Sequence, residues 1–192
     1  MMTHRQALEV LARQRRDQVV ITTMGSAGIW PHLSDSPRDF HYLPSSMGQA
    51  VPLGLGLCLA RPGLPVVVLV GDGGLLMNLG CLITAAQFTV PLSILLIDNG
   101  LYEVTGGQPV ANAGRTDFAT IARGAGITRV YSCDTAEAWA AVAAEVLTGP
   151  GPVFAWLKVR GELGKATPSP PRPMAEQIAR LRAALGLGEP PA

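Results

Sequence analysis

Charge is scarce in this chain of 192 residues: only 15% of positions are Asp, Glu, Lys or Arg, and their formal sum is +1. There is no basic stripe and no interleaving of aromatic with basic residues. The sequence therefore lacks the electrostatic footprint of a nucleic-acid binder. Cysteine is equally sparse. Cys58, Cys81 and Cys133 stand far apart, form no CxxC pair and no even set, and so indicate neither a zinc or iron–sulfur site nor a disulfide framework. They are expected to be small buried hydrophobes in a reducing compartment. No uninterrupted apolar stretch of ~20 residues occurs, and the amino-terminal segment is polar through Gln18, so neither a membrane span nor a signal peptide is read. A cytosolic location follows as the expectation.

What is abundant is apolar and turn-forming. The hydrophobic fraction is 48%, with 22 glycines and 16 prolines. The length suits one domain with a sizeable core. So apolar a surface suits a chain that buries part of it against other subunits, which predicts an oligomer.

The chain is organised around residues 66–108. Val66 to Val70 is a β-branched run closed by Gly71-Asp72-Gly73-Gly74; a helix-like segment follows, then a second apolar run, Leu92 to Ile97, closed by Asp98-Asn99-Gly100. Short runs of this kind bounded by glycine suit strands buried on both faces of a parallel sheet. Asp72 and Asn99 would then sit just past two strand ends, the edge where open α/β sheets bind ligands. Gly71, Gly73 and Gly74 let the backbone approach a ligand closely, and N–H groups opening the next helix face phosphate oxygens. A phosphate and Asp72 repel each other unless a cation lies between them. Mg²⁺ takes oxygens from a carboxylate, an amide, a carbonyl and phosphates. Asp72, the Asn99 side chain and a carbonyl of the next loop, taken as that of Leu101, would supply the protein's share.

Gly71-Asp72-Gly73 followed by Asp98-Asn99 resembles the cofactor motif of thiamine-diphosphate (ThDP) dependent enzymes: GDG, then an Asn preceded by Asn or Asp, here 99 − 72 = 27 positions after the Asp. In that family the Asp, the Asn and the carbonyl two residues beyond it bind Mg²⁺, and the helix after GDG often carries an Asn or Glu near the position of Asn78. Ser46-Met47-Gly48 resembles the segment in which a bulky apolar residue, here Met47, wedges under the cofactor. Thr105-Gly106-Gly107-Gln108 resembles the STGGQ of sulfopyruvate and phosphonopyruvate decarboxylases, and Val19 to Thr23 the strand that opens their module. The likeness covers roughly residues 5 to 160. It implies that Ser46, Met47, Gly48, Gly71, Asp72, Gly73, Gly74, Asn99, Leu101, Tyr102 and Glu103 contact the cofactor. Those decarboxylases usually carry a Gly-Lys-Thr-like segment after the first strand, where this chain has Met24-Gly25-Ser26. His32, Arg38 and His41 are the candidates to replace the missing lysine, although each also suits plain surface. Glu103 either reaches the substrate pocket or faces solvent.

In order, Thr3 to Arg16 reads as an amphipathic helix. Arg13, Arg15 and Arg16 crowd its end and are read as a solvated face rather than an anion site. After the strand Val19 to Thr23 comes a loop of ~20 residues, a length that tends to be functional. Gln49 to Ala60 is a helix. Its Gly54-x-Gly56 is not a dinucleotide fingerprint, and Gly164-Lys165 is no P-loop. Leu75 to Phe88 is apolar nearly all round and should be buried. Helices over Asp117 to Ala125 and Thr135 to Leu147, the latter with Thr135 as N-cap, alternate with strands over Ile127 to Tyr131 and Val153 to Val159. This alternation predicts a three-layer α/β sandwich with a mainly parallel central sheet and right-handed crossovers. Residues 1–165 form the predicted cofactor domain. Residues 166–192 form a Pro-rich linker, TPSPPRP, and a helix over Ala175 to Leu185 with Ile178, Leu181 and Leu185 on one face.

The reaction of such an enzyme is the cofactor's own chemistry. In the family, a glutamate from a second, pyrimidine-binding domain of similar size activates the cofactor. This chain has no room for that domain, and Glu9, Glu103, Glu137, Glu145 and Glu162 lie in the wrong settings. The resemblance therefore implies the diphosphate-binding subunit of a ThDP- and Mg²⁺-dependent 2-oxo acid decarboxylase, a carboxy-lyase completed by an α-type pyrimidine-binding subunit and inactive without it. Two alternatives stay open. One is the β-subunit of a 2-oxoacid oxidoreductase or an acetolactate-synthase-like carboligase; the other is a non-catalytic ThDP-binding module.

Overall fold

The computed structural model describes residues 1–164, 166 and 168–188. Lys165, half of the Gly164-Lys165 pair, and Thr167, the start of the Pro-rich stretch, lie outside the described residues. The chain runs β1 (Met2–Thr3), α1 (His4–Gln14), β2 (Val19–Thr22), α2 (Met24–Ile29), a 3₁₀ turn at Trp30–His32, β3 (Asp39–His41), α3 (Ala50–Ala60), β4 (Val66–Gly71), α4 (Asp72–Leu76), α5 (Gly80–Ala86) and β5 (Leu92–Asp98). A small hairpin of β6 (Leu101–Tyr102) and β7 (Gln108–Pro109) encloses a 3₁₀ turn at Glu103–Thr105. Then follow α6 (Phe118–Gly124), β8 (Arg129–Cys133), α7 (Ala136–Leu147), β9 (Val153–Arg160) and α8 (Met174–Ala184).

Among the described residues, seven strands form one sheet in the order β1-β9-β5-β4-β2-β3, with β8 also beside β9, and every pairing is parallel. β4 and β5 are at the centre because their side chains are apolar on both faces. Val66, Val68, Val70, Ile94 and Leu96 enter one core, shared with α3, α5, α6 and α8. Val67, Leu69, Leu95 and Ile97 enter the other, shared with α1, α7 and Trp30. The molecule is thus a three-layer α/β sandwich. Gly54 lets α3 lie against β4, since a Cβ there would be 2.5 Å from Val68 Cγ2. Three of the helices, α1, α6 and α7, start where short polar side chains cap them: Thr3 and Gln6 form a capping box on α1, and Asp117 and Thr135 accept from the backbone N–H of Thr120 and Ala138.

The sequence reading is corrected at five places. The ~20-residue loop after β2 is instead α2, a 3₁₀ turn and β3, a three-residue strand that pairs with β2 at Val20↔Asp39 through Thr22↔His41. So short a strand carries no periodicity of its own. Arg15 does not lie on a solvated face: its side chain is 8% exposed and 3.1 Å from the Asp39 carboxylate, with Ser34 and the Gln18 carbonyl as further acceptors. The helix read over 75–88 is broken at residues 77–79 into α4 and α5, and Met77 and Ile83 are exposed. β8 starts two residues later than its apolar run suggests. On α8, Leu181 and the adjoining Leu185 enter the core as read, but Ile178 is exposed and Gln177 is buried in its stead. Gln177 earns that position by accepting the His41 backbone N–H at 2.8 Å and donating to the Arg172 carbonyl, while Arg172 and Arg180 hold Asp35. α8 therefore packs on this domain, along the β3 edge.

Candidate functional site

The site lies at the carboxyl ends of β2, β4 and β5. β4 and β5 run in register to Gly71↔Ile97, so the two residues that follow those strands, Asp72 and Asn99, emerge side by side. Asp72 opens α4 and is 1% exposed; its Oδ2 accepts the Gly100 backbone N–H at 2.8 Å. Gly100 adopts φ +72°, a conformation natural to glycine, and this turn carries its N–H toward Asp72. Asn99 Oδ1 accepts the Leu101 N–H at 2.9 Å, an Asx turn that holds the amide at the same tip. A carbonyl-type oxygen has a second lone pair, so that bond leaves it able to serve as a ligand.

The electrostatics at this tip are those of an unbalanced acid pair. The Asp72 carboxyl is pushed up to about 7 by burial, then by the charge of Asp98 and a hydrogen bond with it, against the backbone N–H groups of Gly73 and Gly100, which pull it down. Asp98 Oδ2 also accepts Trp156 Nε1–H at 2.7 Å. Two neighbouring carboxyls beside an amide are a donor set that a hard divalent cation would relieve. Among the described residues there is no cluster of three or more His, Cys, Asp and Glu suited to a metal. Cys58, Cys81 and Cys133 are free and buried, and burial pushes the first two thiols up to about 11.

A cleft spreads from this tip, and every residue that the resemblance implies contacts the cofactor lines it: Ser46, Met47, Gly48, Gly71, Asp72, Gly73, Gly74, Asn99, Leu101, Tyr102 and Glu103. Gly73 has no room for a side chain, since a Cβ there would overlap the Tyr102 ring and lie 2.7 Å from its Cδ1. Gly48 sits at φ +84°, and its carbonyl accepts Asn78 Nδ2–H at 3.1 Å. Asn78 thereby fastens the Ser46-Met47-Gly48 loop to the break between α4 and α5. Met47 is half-buried. Glu103 lines the cleft and is 5% exposed, so it does not face solvent; its Oε1 accepts the Glu162 N–H at 2.7 Å.

Other sequence candidates lie elsewhere. Thr105-Gly106-Gly107-Gln108 makes the turn of the β6–β7 hairpin, closed by the Gly107 N–H to the Tyr102 carbonyl. His41 is buried against Thr22 Oγ1 at 3.0 Å, Arg38 donates to the Asp17 carbonyl, and His32 is exposed; none of the three lines the cleft. His4, Thr23 and Ser45 do line it and were not singled out from sequence. His4 has no local signal: it opens a helix remote in sequence, and only the packing of α1 beside α2 brings it in.

A parallel α/β sheet with an acid and an amide paired over a glycine-floored cleft at its carboxyl edge is the frame of a cofactor-binding enzyme domain. Comparison with known proteins makes this specific. Residues 23–155 match the family described as thiamine pyrophosphate enzyme, C-terminal TPP binding domain. The sulfopyruvate decarboxylase subunit beta of Methanothermobacter thermautotrophicus is 39% identical over 158 residues, covering 81% of this chain and 80% of that protein. The phosphonopyruvate decarboxylase of Streptomyces viridochromogenes is 35% identical over 156 residues, 80% of this chain but only 39% of that protein. A solved protein structure from Mycobacterium smegmatis shares the fold, with a TM-score of 0.70 at 23% identity, over 83% of this chain and 32% of its own. The chain belongs to the thiamine pyrophosphate enzymes and carries their C-terminal TPP-binding domain. It spans most of one curated relative and about two fifths of the other.

Proposed function

We propose that this chain is the diphosphate-binding subunit of a ThDP- and Mg²⁺-dependent 2-oxo acid decarboxylase of the sulfopyruvate or phosphonopyruvate type. The observation that carries the reading is the pairing of Asp72 with the Asn99–Leu101 loop across adjacent strand tips, joined by the Gly100 N–H. In this reading Asp72, the Asn99 amide oxygen and the Leu101 carbonyl hold Mg²⁺. The Gly71, Gly73 and Gly74 backbone faces the diphosphate, and Ser46, Met47, Gly48, Tyr102 and Glu103 enclose the rest of the cofactor. By the sequence reading, residues 1–165 are the cofactor domain and 166–192 a Pro-rich linker and a C-terminal helix; within the latter, α8 lies against β3.

When bound, thiamine diphosphate supplies a carbon centre that takes up the electron pair left as CO₂ departs. The protein's part is positional and electrostatic. Asp72 and Asn99 place the cation that neutralises the diphosphate. Burial of Asp72 keeps competing water from that carboxylate, and the Tyr102 ring over Gly73 fixes the floor. The glutamate that activates the cofactor comes from a separate pyrimidine-binding subunit, consistent with a relative that is named a subunit beta. The enzyme is then a hetero-oligomer, and a cytoplasmic one by the sequence reading.

The test is co-purification from native extract, followed by assay of the pair and of the isolated chain. CO₂ release from a 2-oxo acid by the pair, dependent on ThDP and Mg²⁺ and on no electron acceptor, is the expected result. Equal decarboxylation by the chain alone would refute the split site, and a requirement for an electron acceptor would move it to the oxidoreductases.

A further inference from the structure

We propose that Ser26 contacts the carboxylate of the bound 2-oxo acid and that His4 is the positioning residue that holds Ser26 for that contact; the inference rests on the ThDP reading above. The strand order puts Asp72 and Asn99 at the tips of β4 and β5, whereas Ser26 follows β2, on the far side of β4. The metal and diphosphate occupy the β4–β5 side, which leaves the β2 side of the same cleft for the reacting partner. There His4 and Ser26, 4% and 3% exposed, meet through a 2.9 Å hydrogen bond between Nε2 and Oγ. Both line the cleft.

The backbone is shaped for this couple. Met24 takes φ +40°, an uncommon conformation for a side chain of its size, and so turns Gly25 and Ser26 toward α1. Gly25 supplies the room: a Cβ there would be 3.3 Å from His4 Cε1 and 3.8 Å from Glu103 Oε2. A buried imidazole–hydroxyl pair stabilises a fold less than an apolar pair of the same size, so its place on a cleft wall points to a ligand. A hydroxyl has one donor and two acceptor sites. With His4 Nε2–H donating to Ser26 Oγ, the serine O–H is left to donate to a carboxylate oxygen.

The experiment uses the chain with its partner subunit, ThDP and Mg²⁺, and compares wild type with Ser26→Ala, Ser26→Thr, His4→Gln and Gly25→Ala. Readouts are KM and kcat for the 2-oxo acids that the wild type decarboxylates, with pyruvate as a common competing probe, and ThDP affinity by titration calorimetry. Losing one hydrogen bond to a charged group should raise KM and the inhibition constant of pyruvate about tenfold in Ser26→Ala, with kcat and ThDP affinity within about twofold. Ser26→Thr should restore most of the loss, and His4→Gln and Gly25→Ala should fall between. An unchanged KM in Ser26→Ala, a rise confined to one substrate tail, or a loss shared equally by Ser26→Thr overturns the assignment. A failure of the cofactor reading shows separately, as wild-type protein that binds no ThDP.

Discussion

The carboxylate of Asp72 accepts the backbone N–H of Gly100 at 2.8 Å, so the tips of β4 and β5 are tied together by the very residue whose charge the neighbouring Asp98 opposes. The metal-binding role proposed for Asp72 and the stability of the metal-free fold therefore pull against each other at this position. Asp72→Asn keeps an acceptor for Gly100 and removes the repulsion. The expected result is a metal-free protein at least as stable as wild type, with Mg²⁺-dependent ThDP affinity reduced by about 100-fold or more, as fits the loss of a charged ligand. Thermal melting with chelator and calorimetric titration of ThDP measure the two effects separately, and unchanged ThDP affinity would exclude Asp72 as a ligand.

The floor of the cleft is a contact that only glycine permits. Gly73→Ala drives a methyl into the Tyr102 ring. Overpacking of this kind costs about 1–3 kcal/mol. Adding Tyr102→Ala should recover most of that stability without recovering cofactor binding. A double-mutant cycle by urea denaturation checks the coupling, and simple additivity would disprove the contact.

Arg15 and Asp39 form an ion pair with side chains 8% and 2% exposed. Arg15→Ala leaves Asp39 charged in the interior and should cost about 3–5 kcal/mol. Arg5→Ala, in the exposed pair with Glu9, should cost no more than ~0.5 kcal/mol. The comparison of the two unfolding free energies distinguishes a buried pair from a surface one.

His41 sets a pH dependence. Burial lowers its pKa below the usual histidine value of 6.5, and the charge of Asp39 partly opposes this. Arg172 and Arg180, on the segment packed against it, also disfavour its protonation, and Asp35 favours it. The folded state thus binds the proton less readily than the unfolded one. Stability is fully present above the unfolded value and is lost as pH falls from there through the lower folded value. His41→Gln should flatten the melting-temperature profile in that window, whereas an unaltered profile would show that another group titrates.

Much of the core was legible because it is local. Val66 to Val70 and Leu92 to Ile97 read as doubly buried strands, and Thr135 announces its helix by capping chemistry. The spacing of Asp72 and Asn99 marked two strand tips, and the residues chosen with them gather in one cleft. What failed to read was short or relational. β3 is three residues long, Met77 and Ile83 look like core until the helix breaks beside them, and Arg15 looks solvated until Asp39 arrives from another strand.

From its residues alone, the chain determines where strands must be buried, where glycine must turn the backbone, and which acid and amide stand at the turns, because those follow from side chains acting on their immediate neighbours. Tertiary structure alone decides that His4 reaches Ser26, that Gln177 takes the His41 N–H, and that Arg15 finds Asp39. Those partners are distant in sequence, and only the order of strands in the sheet and the packing of helices on its faces bring them within hydrogen-bonding range.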